Sequence, residues 1–302
     1  GEATALGRRL RGTCDIVHAH GPRVAFWADT VAHAAHARAV VLTLHELRWL
    51  SLPPGPKRWL WTALEDAANA RADRLVVLSS DAQARVLARQ PAWRDRLVLA
   101  PGTTPLLAEP TPPRTPVPHT EALRLVSVGR LHWVKGYDAL LRAVAEARGR
   151  GFALTLTIVG DGPLESALRA QADALGLRDV VRWQSGAFDP GRVLPEHDVF
   201  VAASHTETQG IAALEAMACG LPVLAPDLGG FRDLVVPDVT GVLVPGREGD
   251  AWPHALADAI VALAHDPARR TRMGLAGHER AHAHFAPSMA AAALTDLYRG
   301  LI

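Results

Sequence analysis

Two carboxylates eight positions apart, Glu207 and Glu215, stand on either side of Gly210, where a run of good helix formers begins. The run passes through Ala212, Leu214 and Met217 and stops at Cys219-Gly220, with Pro222 beyond. Glu207 is therefore expected in a loop and Glu215 on a helix, roughly 7–8 Å along the axis from Gly210 at about 1.5 Å per residue. A helix start offers unsatisfied N–H groups to an anion, and a glycine lets a phosphate approach the backbone. A carboxylate on each side would repel that phosphate but accept hydrogen bonds from neighbouring hydroxyls. A diphosphate with a polyol at each end meets this pattern, its sugar toward Glu207 and its ribose toward Glu215. The same spacing also fits an amphipathic helix carrying two solvated glutamates.

Two cations sit at a second candidate position. The apolar run Leu123–Val128 reads as a strand, ends in Gly129-Arg130, and is followed by Lys135-Gly136 just before a helix expected over Tyr137–Ala147. Arginine grips phosphate oxygens bidentately and lysine acts as a mobile point charge. Two further strand-end loops carry glycine: Gly160-Asp161-Gly162-Pro163 after Phe152–Val159, and Gly186-Ala187-Phe188 after Val180–Gln184. Both are turn chemistry first, with backbone approach to a nucleotide as the functional alternative. Asp227-Leu228-Gly229-Gly230 is a similar loop whose glycines could pass close to a sugar.

The elements that must position these residues alternate strand and helix, which argues for parallel sheets with ligands beyond the carboxyl ends of the strands. In the first hundred residues the strands are Asp15–Ala19, Ala39–Thr43, Arg74–Leu78 and Leu97–Ala100; Ser79-Ser80-Asp81 makes an N-cap for the helix to Arg89. His20 and His45 fall at the ends of the first two strands; His18 reads as structural. Seven prolines between 101 and 118 block both helix and sheet interior, which marks a domain boundary. The domains expected are 1–107, a linker over 108–120, a second domain over 121–286, and a last helix over 287–302 that returns to the first.

The chain has 302 residues, enough for two domains, and a net charge of +1, which implies no general attraction to nucleic acid. Two cysteines, Cys14 and Cys219, exclude a disulfide framework and suit a reducing cytoplasm. Trp49, Trp59 and Trp61 lie among Arg48, Lys57 and Arg58. That mixture suits peripheral contact with the inner face of a membrane, or tryptophans that pack inward. His278, His282 and His284 recur at helical spacing and read as a surface face rather than a metal site. No Asp-x-Asp pair occurs, so no carboxylate-held metal and no cofactor are expected.

TETQGIAALEAMACGLPVLA resembles the Glu-x7-Glu region of family 4 glycosyltransferases, and the resemblance continues in VSVGRLHWVKGYDALLRAVA, IVGDGP and DLGGFRDLVVPDVTGVLV, with DIVHAHG, TLHEL and ADRLVVLSS upstream. It covers nearly the whole chain in the right order. It implies an α/β protein of two Rossmann-like domains facing each other across a cleft, the GT-B fold, and a retaining transfer of a hexose from a UDP- or GDP-type sugar to an acceptor hydroxyl. Donor contacts are implied for Gly129, Arg130, Lys135, Gly160, Gly186, Phe188, Glu207, Gly210, Ile211 and Glu215. Catalytic roles are implied for His20, Arg130, Lys135 and Glu207, and His45 is an acceptor-side candidate. The Thr-Glu-Thr-Gln-Gly variant is most similar to bacterial members that glycosylate lipids, so the acceptor expected is a glycolipid or glycan. The family begins with a strand, a Gly-rich loop and a helix that precede anything found here, and an N-terminal domain lacking them is expected. The alternative is therefore a sugar-nucleotide-binding module without turnover. A related epimerase or phosphorylase is a third reading.

Overall fold

The computed structural model describes residues 1–52, 55–109, 122–247 and 249–302, the side chain of Arg23 apart. In chain order the elements are α1 (Glu2–Arg9), β1 (Ile16–His20), α2 (Pro22–Ala35), β2 (Ala39–Leu44), α3 (Arg48–Ser51), α4 (Pro56–Arg71), β3 (Arg74–Val77), α5 (Ser80–Arg89), β4 (Leu97–Leu99), β5 (Leu123–Val128), α6 (Tyr137–Gly149), β6 (Leu154–Val159), α7 (Glu165–Ala174), β7 (Val181–Gln184), α8 (Pro190–Val193), β8 (Val199–Val201), α9 (Ile211–Ala218), β9 (Val223–Pro226), α10 (Phe231–Leu234), β10 (Gly241–Val244), α11 (Trp252–His265), α12 (Pro267–His284) and α13 (Pro287–Arg299). They form two units, one of Gly1–Gly102 with Ser288–Ile302, the other of Thr103–Pro287.

The first unit holds a parallel sheet in the order β1-β2-β3-β4. Its central strand β2 is buried at every position, which is why Ala39–Leu44 reads as one continuous apolar run. Val40, Leu42, Leu75 and Val77 face a core shared with α2, α4 and α5, while Val41 and Val76 face the other way and meet Leu297 of α13. Alternate residues of a strand point to opposite faces, so helices are needed on both. Ser79 caps α5 by accepting from the Ala82 amide.

Helix α4 inverts the usual pattern of an amphipathic helix. Thr62, Glu65 and Asn69 are buried, whereas Trp59, Leu60 and Leu64 are exposed, Trp59 by 73%. Arg48 meets Glu65 at 2.9 Å, yet burial outweighs it and pushes the Glu65 carboxyl up to about 7. Of the three tryptophans grouped by sequence, Trp49 packs on the first core beneath Arg89, and Trp61 lies beneath Arg48 and against Phe26. Trp59 alone of the three is turned to solvent.

The second unit is a six-stranded parallel sheet in the order β10-β9-β8-β5-β6-β7. Its two faces carry separate cores. One joins Leu125, Leu156 and Ile158 to α6 and α11; the other joins Val126 and Phe200 to α9 and Phe285. The order reverses direction at β5 and β8, and these are the strands that feed the Lys135 and Glu207 loops.

Two sequence expectations need correction, and a third falls largely outside the described residues. Residues 103–107 belong to the second unit, because Thr103 Oγ1 donates to the Phe285 carbonyl at 2.6 Å and Leu107 is buried beside α9. Of the linker expected over 108–120, residues 110–120 lie outside the described residues. His278 is no surface residue: it is buried, with its Nδ1 bonded to the Ala218 carbonyl at 2.8 Å and its ring against His282.

Candidate active site

Gly210 caps α9 with a left-handed backbone, φ 88°, and, as a glycine, makes no side-chain cap bond to the first turn. The loop before it carries Glu207, whose Oε2 accepts from Lys135 Nζ at 2.7 Å. Lys135 and Glu207, expected to serve a diphosphate and a sugar respectively, are thus bonded to each other. Both side chains are largely shielded from solvent. Arg130 is exposed, and its guanidinium has no partner among the described residues.

The Lys135 loop is held from below. Tyr137, buried at the start of α6, donates its hydroxyl to the Gly129 carbonyl at 3.0 Å. Burial holds that phenol well above its ordinary pKa, so it stays a donor. The Gly129 amide donates to Val159, the Gly160 amide to Gln184, and a side chain at Gly160 would strike the Gly129 carbonyl. The two glycine loops therefore touch backbone to backbone. The Gly186 amide donates to Asp161 Oδ2 at 3.1 Å, which ties the third loop to the second. Phe188 is half-buried against the α9 core.

The Glu207 loop is held from the other side. The Gly230 amide donates to the Glu207 carbonyl at 2.9 Å. A Cβ on Gly229 would lie 2.0 Å from that same carbonyl oxygen, and one on Gly230 would lie 2.3 Å from Gln209 Cα. These glycines, which the sequence reading has passing close to a sugar, make room for the loop that carries Glu207.

Glu215 sits on α9, half-buried, and accepts from Thr104 Oγ1 at 3.4 Å. Burial raises its pKa, with the Thr104 bond partly opposing. Ile211 is 39% exposed at the helix start. Thr104 was not singled out by sequence; no motif marks a threonine 111 positions from its partner. Tyr137, His205 and Arg247 were likewise missed as site residues, although Tyr137 directly follows the Lys135-Gly136 pair.

In the first unit, the ends of β1 and β2 bring three histidines together. His20 Nδ1 and His45 Nε2 lie 3.0 Å apart. The His18 ring stacks on His20 at 4.3 Å, while its nitrogens meet the Tyr298 hydroxyl and Thr43 Oγ1. Burial, then the neighbouring imidazoles, pull His18 down to about 4; the same causes lower His45. These two rings are neutral at physiological pH. His18 is structural, as the sequence suggests, and its bond to Tyr298 fastens α13 to β1.

Comparison with known proteins supplies what geometry cannot. A family model described as "Glycosyl transferases group 1" matches residues 113–280, and one described as "Glycosyl transferase 4-like domain" matches residues 2–103. The chain is 32% identical over 311 residues to a D-inositol 3-phosphate glycosyltransferase of Actinosynnema mirum, covering 94% of this chain and 71% of that protein. It is 30% identical to the same-named protein of Thermobifida fusca, covering 92% and 68%. Among solved structures, sucrose-phosphate synthase from Thermosynechococcus elongatus superposes with a TM-score of 0.78 at 26% identity, covering 95% of this chain and 73% of that one. Anabaena HepE, solved in complex with UDP and glucose, shares the fold with a TM-score of 0.75 at 19% identity, covering 95% and 77%. With both halves matched in order and both units Rossmann-like, the chain belongs to the family 4-type glycosyltransferases of GT-B fold.

Proposed function

We propose that this glycosyltransferase is a retaining, metal-independent enzyme that moves a hexose from a UDP- or GDP-sugar to an acceptor hydroxyl. The observation that carries this reading is the Lys135–Glu207 pair, 2.7 Å apart, with Lys135 on the loop before α6 and Glu207 on the loop that leads to α9 and its N-cap Gly210. As the sugar–oxygen bond breaks, negative charge grows on the leaving diphosphate. Lys135, the exposed Arg130 and the amides after Gly210 supply positive charge that needs no rearrangement at that moment. On binding, Lys135 turns from Glu207 to phosphate, and Glu207 is released to accept from sugar hydroxyls. Glu215 accepts from the ribose. His20, at the end of β1 and bonded to His45, does the acceptor-side work.

The nucleotide is supported by HepE, whose structures hold UDP, glucose or UDP-glucose. For the acceptor, the relatives named for inositol 3-phosphate support a small phosphorylated polyol, and the glycolipid of the sequence reading is the alternative. No helix among the described residues is long and apolar enough to cross a membrane. The outer face of α4, with Trp59, Leu60 and Leu64 beside Lys57, supports peripheral membrane contact in place of the three-tryptophan cluster.

A thermal-shift screen of UDP-, GDP- and ADP-sugars tests the donor side, since a bound donor stabilises the folded state. Product anomeric configuration read by NMR tests retention, and transfer in EDTA tests metal independence. Donor binding without transfer to any hydroxyl acceptor would favour a binding module. Flotation with anionic vesicles, compared between wild type and Trp59→Ser, tests the membrane contact.

A further inference from the structure

Arg247 is a buried guanidinium, 9% exposed, whose described hydrogen bonds go to neither a carboxylate nor a ligand. Its Nε donates to the Ala203 carbonyl at 3.0 Å, an Nη lies 3.1 Å from His205 Nε2, and its plane covers Trp252 at 4.5 Å. Burying an arginine this way is costly unless the bonds it makes are needed. Those bonds gather the two loops of the donor site. Ala203 and His205 open the segment that carries Glu207, and the His205 amide donates to the Val134 carbonyl at 2.7 Å, next to Lys135. The Trp133 ring lies against His205. Gly136, directly after Lys135, has no side chain because one would strike both the Ala203 carbonyl and the Arg247 guanidinium.

The chemistry of the contact fixes the state of His205. A guanidinium has donors only, so Nε2 of His205 must be the acceptor and the ring proton sits on Nδ1. A protonated His205 would point a donor at a donor and place two cations 3.1 Å apart. We propose that His205 and Arg247 are positioning residues that clamp the Lys135 and Glu207 loops in register, and that protonation of His205 opens the clamp and weakens donor binding in acid. This rests on the donor-site reading above. Partial burial, then Arg247, lower the pKa of His205, with Asp138 opposing. Arg142 acts on Arg247 in the same sense as burial, and Lys135 and Glu207 flank the site. The clamp is thus closed at neutral pH and opens only as pH falls through the lowered pKa of His205, which lies beneath the ordinary histidine value of about 6.5.

The test compares wild type with His205→Ala, His205→Gln and Arg247→Lys, using whichever of the UDP-, GDP- and ADP-sugars stabilises the wild type in the screen above. At about pH 7.5, losing the charged hydrogen bond in His205→Ala should raise the donor KM about tenfold, with kcat within about twofold. Wild type should move toward the same KM as pH falls from about 7.5 to about 5, reaching it only below the lowered pKa of His205. His205→Gln, whose amide oxygen can accept from Arg247 but does not titrate, should keep its affinity at both pH values. Equal affinity of His205→Ala and wild type, or an acid loss that persists in His205→Gln, would overturn the clamp. Arg247→Lys loses the guanidinium fork that spans the Ala203 carbonyl and His205, so a folded Arg247→Lys should also raise the donor KM, and an unchanged KM in it would overturn the clamp. If no nucleotide binds the wild type, the donor reading fails, and the clamp is judged by NMR alone: a His205 protonated on Nε2 at neutral pH sinks it, and one protonated on Nδ1 that loses the contact in acid upholds it.

Discussion

The two units present different electrostatics at their strand ends. The second unit sets an ammonium against a carboxylate, Lys135 with Glu207, and braces both loops with backbone-to-backbone contacts at Gly160, Gly229 and Gly230. The first unit offers imidazoles, His18, His20 and His45, of which His18 and His45 are held neutral by burial and by the neighbouring His20. A site that must answer a diphosphate needs fixed charge, and fixed charge needs rigid support. If the first unit handles the acceptor hydroxyl, as proposed, polar groups without net charge suit it, and the rings of His20 and His45 at one sheet end would supply them. The difference sets close-packed glycine backbone around the charged pair of one unit against adjoining imidazoles at the sheet end of the other.

The sharpest way to break the comparison is to remove the charge. Lys135→Ala should lower the transfer rate about 10²–10³-fold, the scale seen when a preorganised electrostatic group is lost. Steady-state turnover with a saturating donor measures it, and a loss under about threefold would mean that the second unit's charge is not used. Next comes Glu215→Gln, which separates binding from stability. Its carboxyl has a raised pKa, so the folded state holds the proton more tightly than the unfolded chain, and the charge costs stability as pH rises above its ordinary value. The amide should therefore raise Tm by a few degrees at neutral pH while weakening nucleotide binding about tenfold. Calorimetry and titration on the same sample report both.

In the first unit the expected effect is one of acid. His18 has a folded pKa near 4 against an ordinary value of 6.5, so the unfolded chain binds more protons across that window. Stability is complete above about pH 6.5 and is lost as pH falls toward about 4, by about 1–2 kcal/mol for this half-covered ring. Unfolding midpoints measured from pH 7.5 to pH 4 should show the loss, and His18→Gln should flatten it. The smallest effect is that of Tyr137→Phe, which leaves the Gly129 carbonyl without its donor. It should cost about 1 kcal/mol and raise the donor KM a few-fold with little change in kcat. A change in kcat alone would place Tyr137 in the chemistry instead of beneath the loop.

Much of the fold was legible because its signals are local. Apolar runs bounded by glycine and proline gave the strands, Ser79 announced α5, and Gly210 and Gly220 bracketed α9. What stayed hidden was anything decided by contacts distant along the chain. Nothing in a sequence says that Arg247 will reach Ala203, or that Thr104 will meet Glu215. Helix α4 misleads for a related reason: its polar residues Thr62, Glu65 and Asn69 face inward, so its amphipathic pattern points the wrong way. The charged pair was legible as two separate residue types with separate roles, but not as partners.

That partnership has a bearing on what the enzyme ignores. A lone ammonium beside a helix start would hold whatever small anion was most abundant in the cell. Here the ammonium already has its counter-ion, so orthophosphate must displace a carboxylate and leave it stranded. A sugar nucleotide can satisfy the two opposite charges together, oxyanions for one and hydroxyls for the other. On the proposed reading, the salt bridge raises the cost of binding a simple phosphate at Lys135, and discrimination would begin there, before any base or sugar is read.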